Sequence, residues 1–276
     1  MKNHIGLILS GGGAKGAYEI GVCKALEKIG VMSFVDIIAG ASVGAINAVL
    51  VESQGADYAE YVWQSLRLSD MLHVDLSGLA KHNIFSDNPN FIDTITDTSV
   101  INDLLTNGLP VSQKKIEELI NIHVDFGKIK RKIIIPCTES DGHLEYFILN
   151  NYPAEIQKRI ILASSAMPLI YRGLVGVEIN NRYYYDGGMT DDGNTPVPYL
   201  YESGCKKIIA VHLRYDADIT NQYFMKDADI VNIIPSKNLG SFLSGTLNLN
   251  HFKVYSDIET GYEDTMAMAD EIISVI

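Results

Sequence analysis

Residues 35–51 read VDIIAGASVGAINAVLV, and this stretch decides the fold. Val35 to Ala39 is an apolar run of strand length, Gly40 ends it, and Gly44 to Val51 takes up the spacing of a helix. The turn between them, Gly40-Ala41-Ser42-Val43-Gly44, is a G-x-S-x-G. A serine raised on a sharp strand-to-helix turn needs small neighbours so that strand and helix can approach. It also stands at a helix N-terminus, where unpaired amides and the positive dipole end favour a developing anion. Ser42 is therefore a candidate nucleophile, although the pentapeptide alone also fits a glycine-rich turn with serine as a helix cap.

Upstream, the same rhythm occurs once more. Ile5 to Ser10 is a short apolar strand closed by Gly11, Gly12 and Gly13, and Gly16 to Ile29 carries apolar residues at helical spacing (Ala17, Ile20, Val22, Ala25, Leu26, Ile29) before Gly30 stops it. Gly11, Gly13 and Gly16 satisfy G-x-G-x-x-G, so a dinucleotide site is an alternative. That site expects an acid at the end of the next strand, whereas Asp36 stands at its start. A Walker A loop is excluded because Lys15 precedes Gly16. The backbone amides of Gly11, Gly12, Gly13, Ala14, Lys15 and Gly16 can instead cradle an oxyanion. Two successive strand–turn–helix units imply a parallel sheet with both turns at its carboxyl edge.

Tyr58 to Leu68 continues as a helix, and between about residues 69 and 127 Asn and Asp become frequent. Amphipathic helices are expected there at Phe91 to Thr96, Val100 to Leu105 and Ser112 to Asn121, forming an α-helical insertion that serves as a lid or a structural cap. Strands are expected at Lys132 to Glu139 and Leu144 to Leu149 around the Asp141-Gly142 turn, and at Gly176 to Ile179 and Arg182 to Tyr185 around Asn180-Asn181. Ala154 to Ser165 reads as helix, Lys207 to Leu213 and Ile230 to Ile234 as strands, and Asn250 to Val275 as helix. The fold class is α/β, a mostly parallel central sheet with helices on both faces in three layers.

Asp186-Gly187-Gly188 ends the strand Arg182 to Tyr185 and supplies a carboxylate that can accept a proton from Ser42. By itself it also fits a tight turn capped by aspartate. In order along the chain, the glycine-rich loop, the G-x-S-x-G and Asp-Gly-Gly resemble the patatin-like phospholipase family. Ala163-Ser164-Ser165-Ala166-Met167-Pro168 and Asn194-Thr195-Pro196 resemble the family's segments before and after the acidic motif. The resemblance implies a Ser42–Asp186 dyad, an oxyanion hole in Gly11 to Gly16 and a fatty acyl ester or phospholipid substrate; no H-E-x-x-H or Cys-His cluster suggests a metal, and no cofactor is expected. The resemblance implies a domain over residues 5–201 that includes the insertion; beyond Tyr201 it fades, and the strand and helix pattern of residues 202–276 is expected to complete the same fold. Lys15 stands where the family often has Arg, keeping the charge but not the planar fork. Partial burial near Met189 is expected to raise the Asp186 pKa. A Ser-His-Asp triad would have to draw on His212 or His251, the histidines that follow the acid.

The formal net charge of -12 removes the positive field that non-specific nucleic-acid binding needs. Lys128, Lys130, Arg131 and Lys132 read as a solvated strand entry, and Cys23, Cys137 and Cys205 as buried free thiols. Neither a secretory leader nor a membrane-spanning run is legible, so cytoplasmic residence is expected, with leaderless export open and any contact with a membrane or micelle peripheral.

Overall fold

The computed structural model describes residues 4–66, 113–167, 176–220, 222 and 225–276. Strand β1 (His4–Leu9) leads through a 3₁₀ turn (Gly13–Gly16) into α1 (Ala17–Lys28). Strand β2 (Ile37–Gly40) leads into α2 (Val43–Gln54) and α3 (Ala56–Ser65). After α4 (Gln113–His123) come the hairpin β3 (Lys132–Glu139) and β4 (Leu144–Ile148), then α5 (Ala154–Ser164). A second hairpin, β5 (Val177–Ile179) and β6 (Arg182–Asp186), precedes the short helices α6 (Asp191–Asn194) and α7 (Val197–Glu202). Strands β7 (Cys205–Val211) and β8 (Asp229–Ile233) and helices α8 (His251–Ala267) and α9 (Ala269–Val275) follow. The expected helices at 91–96 and 100–105 lie outside the described residues, as does most of the insertion.

The strand order is β5-β6-β3-β2-β1-β7-β8, with β4 also paired to β3. From β3 through β2, β1 and β7 to β8 every neighbouring pair is parallel, and the antiparallel pairs all involve the two hairpins. The hairpin turns have the expected chemistry: Asn180 and Asn181 both adopt positive φ (51° and 65°), the conformation a two-residue turn demands. Side chains alternate across the sheet. Leu7, Leu9, Ile38, Ile133, Ile135 and Ile209 face a thick core with α1, α2, α3, α5 and α8, while Ile8, Ile37, Ala39, Ile134 and Ile208 face a thinner one. Among the described residues that second face is closed mainly by Val197 and Leu200 of α7. Helices thus cover both faces, unequally.

One feature of the sheet positions everything that follows. β2 pairs with β3 only as far as Ala39 opposite Ile134, whereas β6 pairs with Cys137, Thr138 and Glu139. Because β4 occupies the other edge of β3 from Ile134 to Thr138, β2 and β6 must share one edge. They run in opposite directions along it and point their carboxyl ends at each other. Ser42 leaves one end and Asp186 is the other.

Candidate active site

Gly40 and Gly44 are required by close approach. A Cβ on Gly40 would lie 2.3 Å from the Gly44 carbonyl oxygen, and one on Gly44 would lie 2.1 Å from that of Leu9. Between them Ser42 takes φ 53° and ψ −121° and is 8% exposed. A serine at positive φ is strained, and such strain is held in place by its surroundings. Here the Ser42 amide donates to Ser164 Oγ at 3.1 Å, and the next helical turn begins with Ala45 N donating to Ser42 O at 3.1 Å.

Ser42 Oγ donates to Asp186 Oδ2 at 2.7 Å. The other carboxylate oxygen, Oδ1, accepts from Gly188 N at 2.7 Å. Asp186 is wholly buried, and burial pushes its pKa from an ordinary 3.8 up to about 6 against the lowering effect of those two hydrogen bonds. Met189, the apolar neighbour expected to bury it, is itself 54% exposed. What encloses the carboxylate is its place inside the sheet: Asp186 pairs with Cys137 of β3, and Gly187 sits so close that a Cβ would meet the Pro136 carbonyl at 2.1 Å.

The glycine loop leaves β1 beside the elbow, with Leu9 in register with Gly40. Its amides are not equivalent. Gly11 N is committed to Asn194 Oδ1 at 2.9 Å and Lys15 N to Gly12 O at 3.4 Å. Gly16 gives its carbonyl to Asn47 Nδ2 at 2.9 Å. The amides of Gly12, Gly13 and Ala14 have no acceptor among the described residues, and neither has that of Val43 at the start of α2. Gly13 takes φ 60°, which keeps this turn open to glycine alone without strain. Of the six loop residues expected to form an anion cup, Gly12, Gly13 and Ala14 thus keep amides without an acceptor among the described residues, while those of Gly11 and Lys15 are taken. Lys15 is half-buried; burial, Lys253 and Arg214 lower its pKa, and it has no ion-pair partner among the described residues.

Sequence reading passed over a polar network behind the loop. Asn47 Nδ2 also donates to Glu19 Oε2 at 2.8 Å, and Trp63 Nε1 donates to Asn47 Oδ1 at 2.9 Å. Glu19 is fully buried, and desolvation holds its pKa well above the ordinary carboxylate range. The signal was available: Glu19 falls on the same helical face as Ile20, Cys23 and Leu26, where an acid is out of place. Asn194, by contrast, belongs to a segment singled out on resemblance, and its carboxamide bridges Gly11 to the neighbourhood of Gly188.

The histidines stand apart. His212 is 5% exposed, its Nε2 is 2.8 Å from Asn232 Oδ1, and burial lowers its pKa. His251 is exposed at the first turn of α8. Asp36 lies at the opposite end of the sheet from the glycine loop, accepting from Ile5 N at 3.1 Å, and so is not a ribose acceptor for a nucleotide held there. Among the described residues no three His, Cys, Asp or Glu side chains gather as metal ligands. No helix among them is long and apolar enough to cross a membrane.

A serine on a strand–turn–helix elbow, facing a buried carboxylate on a mostly parallel sheet, defines an α/β protein of the nucleophile-elbow kind. The chain belongs to the patatin-like phospholipase family, whose sequence model matches residues 7–201. Similar curated proteins include patatin-like phospholipase domain-containing protein ZK370.4 of Caenorhabditis elegans, 26% identical over 211 residues, which are 68% of this chain and 15% of that one. Neuropathy target esterase sws of Drosophila melanogaster is 28% identical over 180 residues, 57% of this chain and 12% of that one. Lysophospholipase nte1 of Aspergillus terreus is 52% identical over 46 residues, 17% of this chain and 3% of that one. The chain thus spans 15% or less of the length of these relatives. Among solved structures, human GIVD cytosolic phospholipase A2 shares the fold with a TM-score of 0.56 at 8% identity, over 99% of this chain and 59% of that one. VipD from Legionella pneumophila does so with a TM-score of 0.50 at 14% identity, over 98% of this chain and 67% of that one.

Proposed function

We propose that the chain is a serine acyl hydrolase that cleaves fatty acyl ester bonds of phospholipids or lysophospholipids through a Ser42–Asp186 dyad. The observation that carries this reading is the 2.7 Å hydrogen bond from Ser42 Oγ to a fully buried Asp186 carboxylate, beside a loop three of whose amides have no acceptor among the described residues. Asp186 takes the Ser42 proton as Oγ attacks the ester carbonyl carbon. The carbonyl oxygen becomes an oxyanion and accepts from Gly12, Gly13 and Ala14 N–H. Donors of this kind contribute about 3 kcal/mol each to the transition state. Collapse breaks the C–O bond; the alcohol leaves with the proton from Asp186, and acyl-Ser42 remains. Water, deprotonated by Asp186, repeats the attack and releases the fatty acid. The lipid substrate class is supported by family membership and by the names of the relatives.

A carboxyl with a pKa of about 6 is a stronger base than an ordinary aspartate and still ionised at neutral pH. Since only the ionised form accepts a proton, kcat/KM for a p-nitrophenyl acyl ester is expected to fall about tenfold per pH unit below a midpoint near 6. An acid limb centred near pH 4 would show that burial does not raise the base, and a rate independent of pH between about 3 and 8 would remove a carboxylate base from the mechanism.

A fluorophosphonate probe tests the reading directly. One adduct per chain, located at Ser42 by mass spectrometry and absent in Ser42→Ala, is the expected result. Labelling at another residue, or hydrolysis that persists in Ser42→Ala, would remove Ser42 from the mechanism.

A further inference from the structure

The turn that ends α5 touches both members of the dyad through their backbones. Ser164 is fully buried, and its hydroxyl is used twice: Oγ accepts from Ser42 N at 3.1 Å and donates to Pro136 O on β3 at 2.7 Å. Two residues on, Ala166 O accepts from Asp186 N at 3.2 Å. The amides of the nucleophile and of the base are thus fastened to one three-residue turn, and that turn is fastened to β3, the strand that runs alongside both. Thr138 Oγ1 completes the frame by donating to Asp186 O at 3.1 Å.

The geometry points to Ser164 as a positioning residue for the reaction: by holding the strained Ser42 amide and the Pro136 carbonyl together, it fixes Ser42 Oγ in line with Asp186. The inference rests on the dyad reading above. Its physical basis is twofold. Ser42 at φ 53° has no intrinsic preference for its conformation, so its amide needs a fixed acceptor. Removing the hydroxyl also leaves a buried N–H and a buried C=O without their partner, which the elbow can relieve only by moving. A displacement of about 1 Å at a reacting atom costs roughly 100-fold in rate.

The adjacent Ser165 supplies the control, because among the described residues its hydroxyl bonds to Ile161 O and Leu162 O of its own helix and to no member of the dyad. With a p-nitrophenyl acyl ester as substrate, Ser164→Ala is expected to lower kcat by roughly 10- to 100-fold with KM within about twofold of the parent. Ser164→Cys, which keeps the volume and a weak S–H donor and acceptor, should fall between the two, and Ser165→Ala should match the parent. Unchanged kcat in Ser164→Ala, or an equal loss in Ser165→Ala, would overturn the role. Should Ser164→Ala fail to fold, Ser164→Cys decides alone, and parental kcat in it overturns the inference. Ser42→Ala and Asp186→Asn assayed beside them separate the two levels. If both are inactive while Ser164→Ala is fully active, the positioning role alone fails; if either remains active, the dyad itself does.

Discussion

Asp186→Asn is expected to lower kcat by roughly 10³- to 10⁴-fold and, at pH 8, to make the protein more stable. Asparagine is nearly isosteric and can still accept from Ser42 Oγ or Gly188 N, but it cannot take the proton. The stability effect follows from the same burial that makes aspartate a good base. Folding raises the Asp186 pKa from 3.8 to about 6, which corresponds to about 3 kcal/mol of differential interaction between the two protonation states. A carboxyl whose pKa is raised by folding contributes stability that is fully present below pH 4 and is lost as pH rises through 6. Above that the native state carries a buried anion with two donors, and a neutral amide removes the charge. Chemical denaturation at pH 8 and at pH 4 measures it: the variant should gain up to about 3 kcal/mol at the higher pH and little at the lower. Equal stability of both proteins at both values would show that the aspartate is not perturbed.

The largest loss of activity is expected from Ser42→Ala and Ser42→Gly, roughly 10⁶-fold in kcat, since neither can form the acyl intermediate. The two should differ in stability. At φ 53° alanine keeps the backbone strain of serine, whereas glycine occupies that region freely, so Ser42→Gly should exceed Ser42→Ala by about 1 kcal/mol despite its more flexible unfolded chain. Thermal melts of the pair measure the difference. If Ser42→Ala were the more stable, the positive φ at the elbow would carry no strain.

The parts of this site that were legible in the sequence are those in which geometry is enforced locally. Gly40 and Gly44 exist because a strand and a helix nearly collide, and that need is written within five residues. Likewise Asp186-Gly187-Gly188 is readable because Gly187 abuts Pro136. The parallel order of β1 and β2 followed from their successive strand–turn–helix units. The sequence did not disclose how β2 and β6 share one edge of β3, because that depends on how far each ladder runs, not on residue type. Nor could it distinguish the free amides of Gly12, Gly13 and Ala14 from those of Gly11 and Lys15. Gly11 is occupied by Asn194, a residue 183 positions away, and such a partner leaves no local mark. The raised Asp186 pKa was legible as an effect of burial, but the pairing of Asp186 with Cys137 inside the sheet was not.

The central strand has a history as well as a place. β1 is flanked by β2, made soon after it, and by β7, made only once residues 205–211 have been synthesised. A nascent chain emerging from the ribosome therefore holds an apolar strand with one edge unpaired until residues 205–211 have been made. The glycine loop at the end of β1 cannot gain its Asn194 tether in that interval either. The tethered form of the glycine loop thus waits on residues made long after it, and until then the open edge of β1 is a place for chaperones to shield.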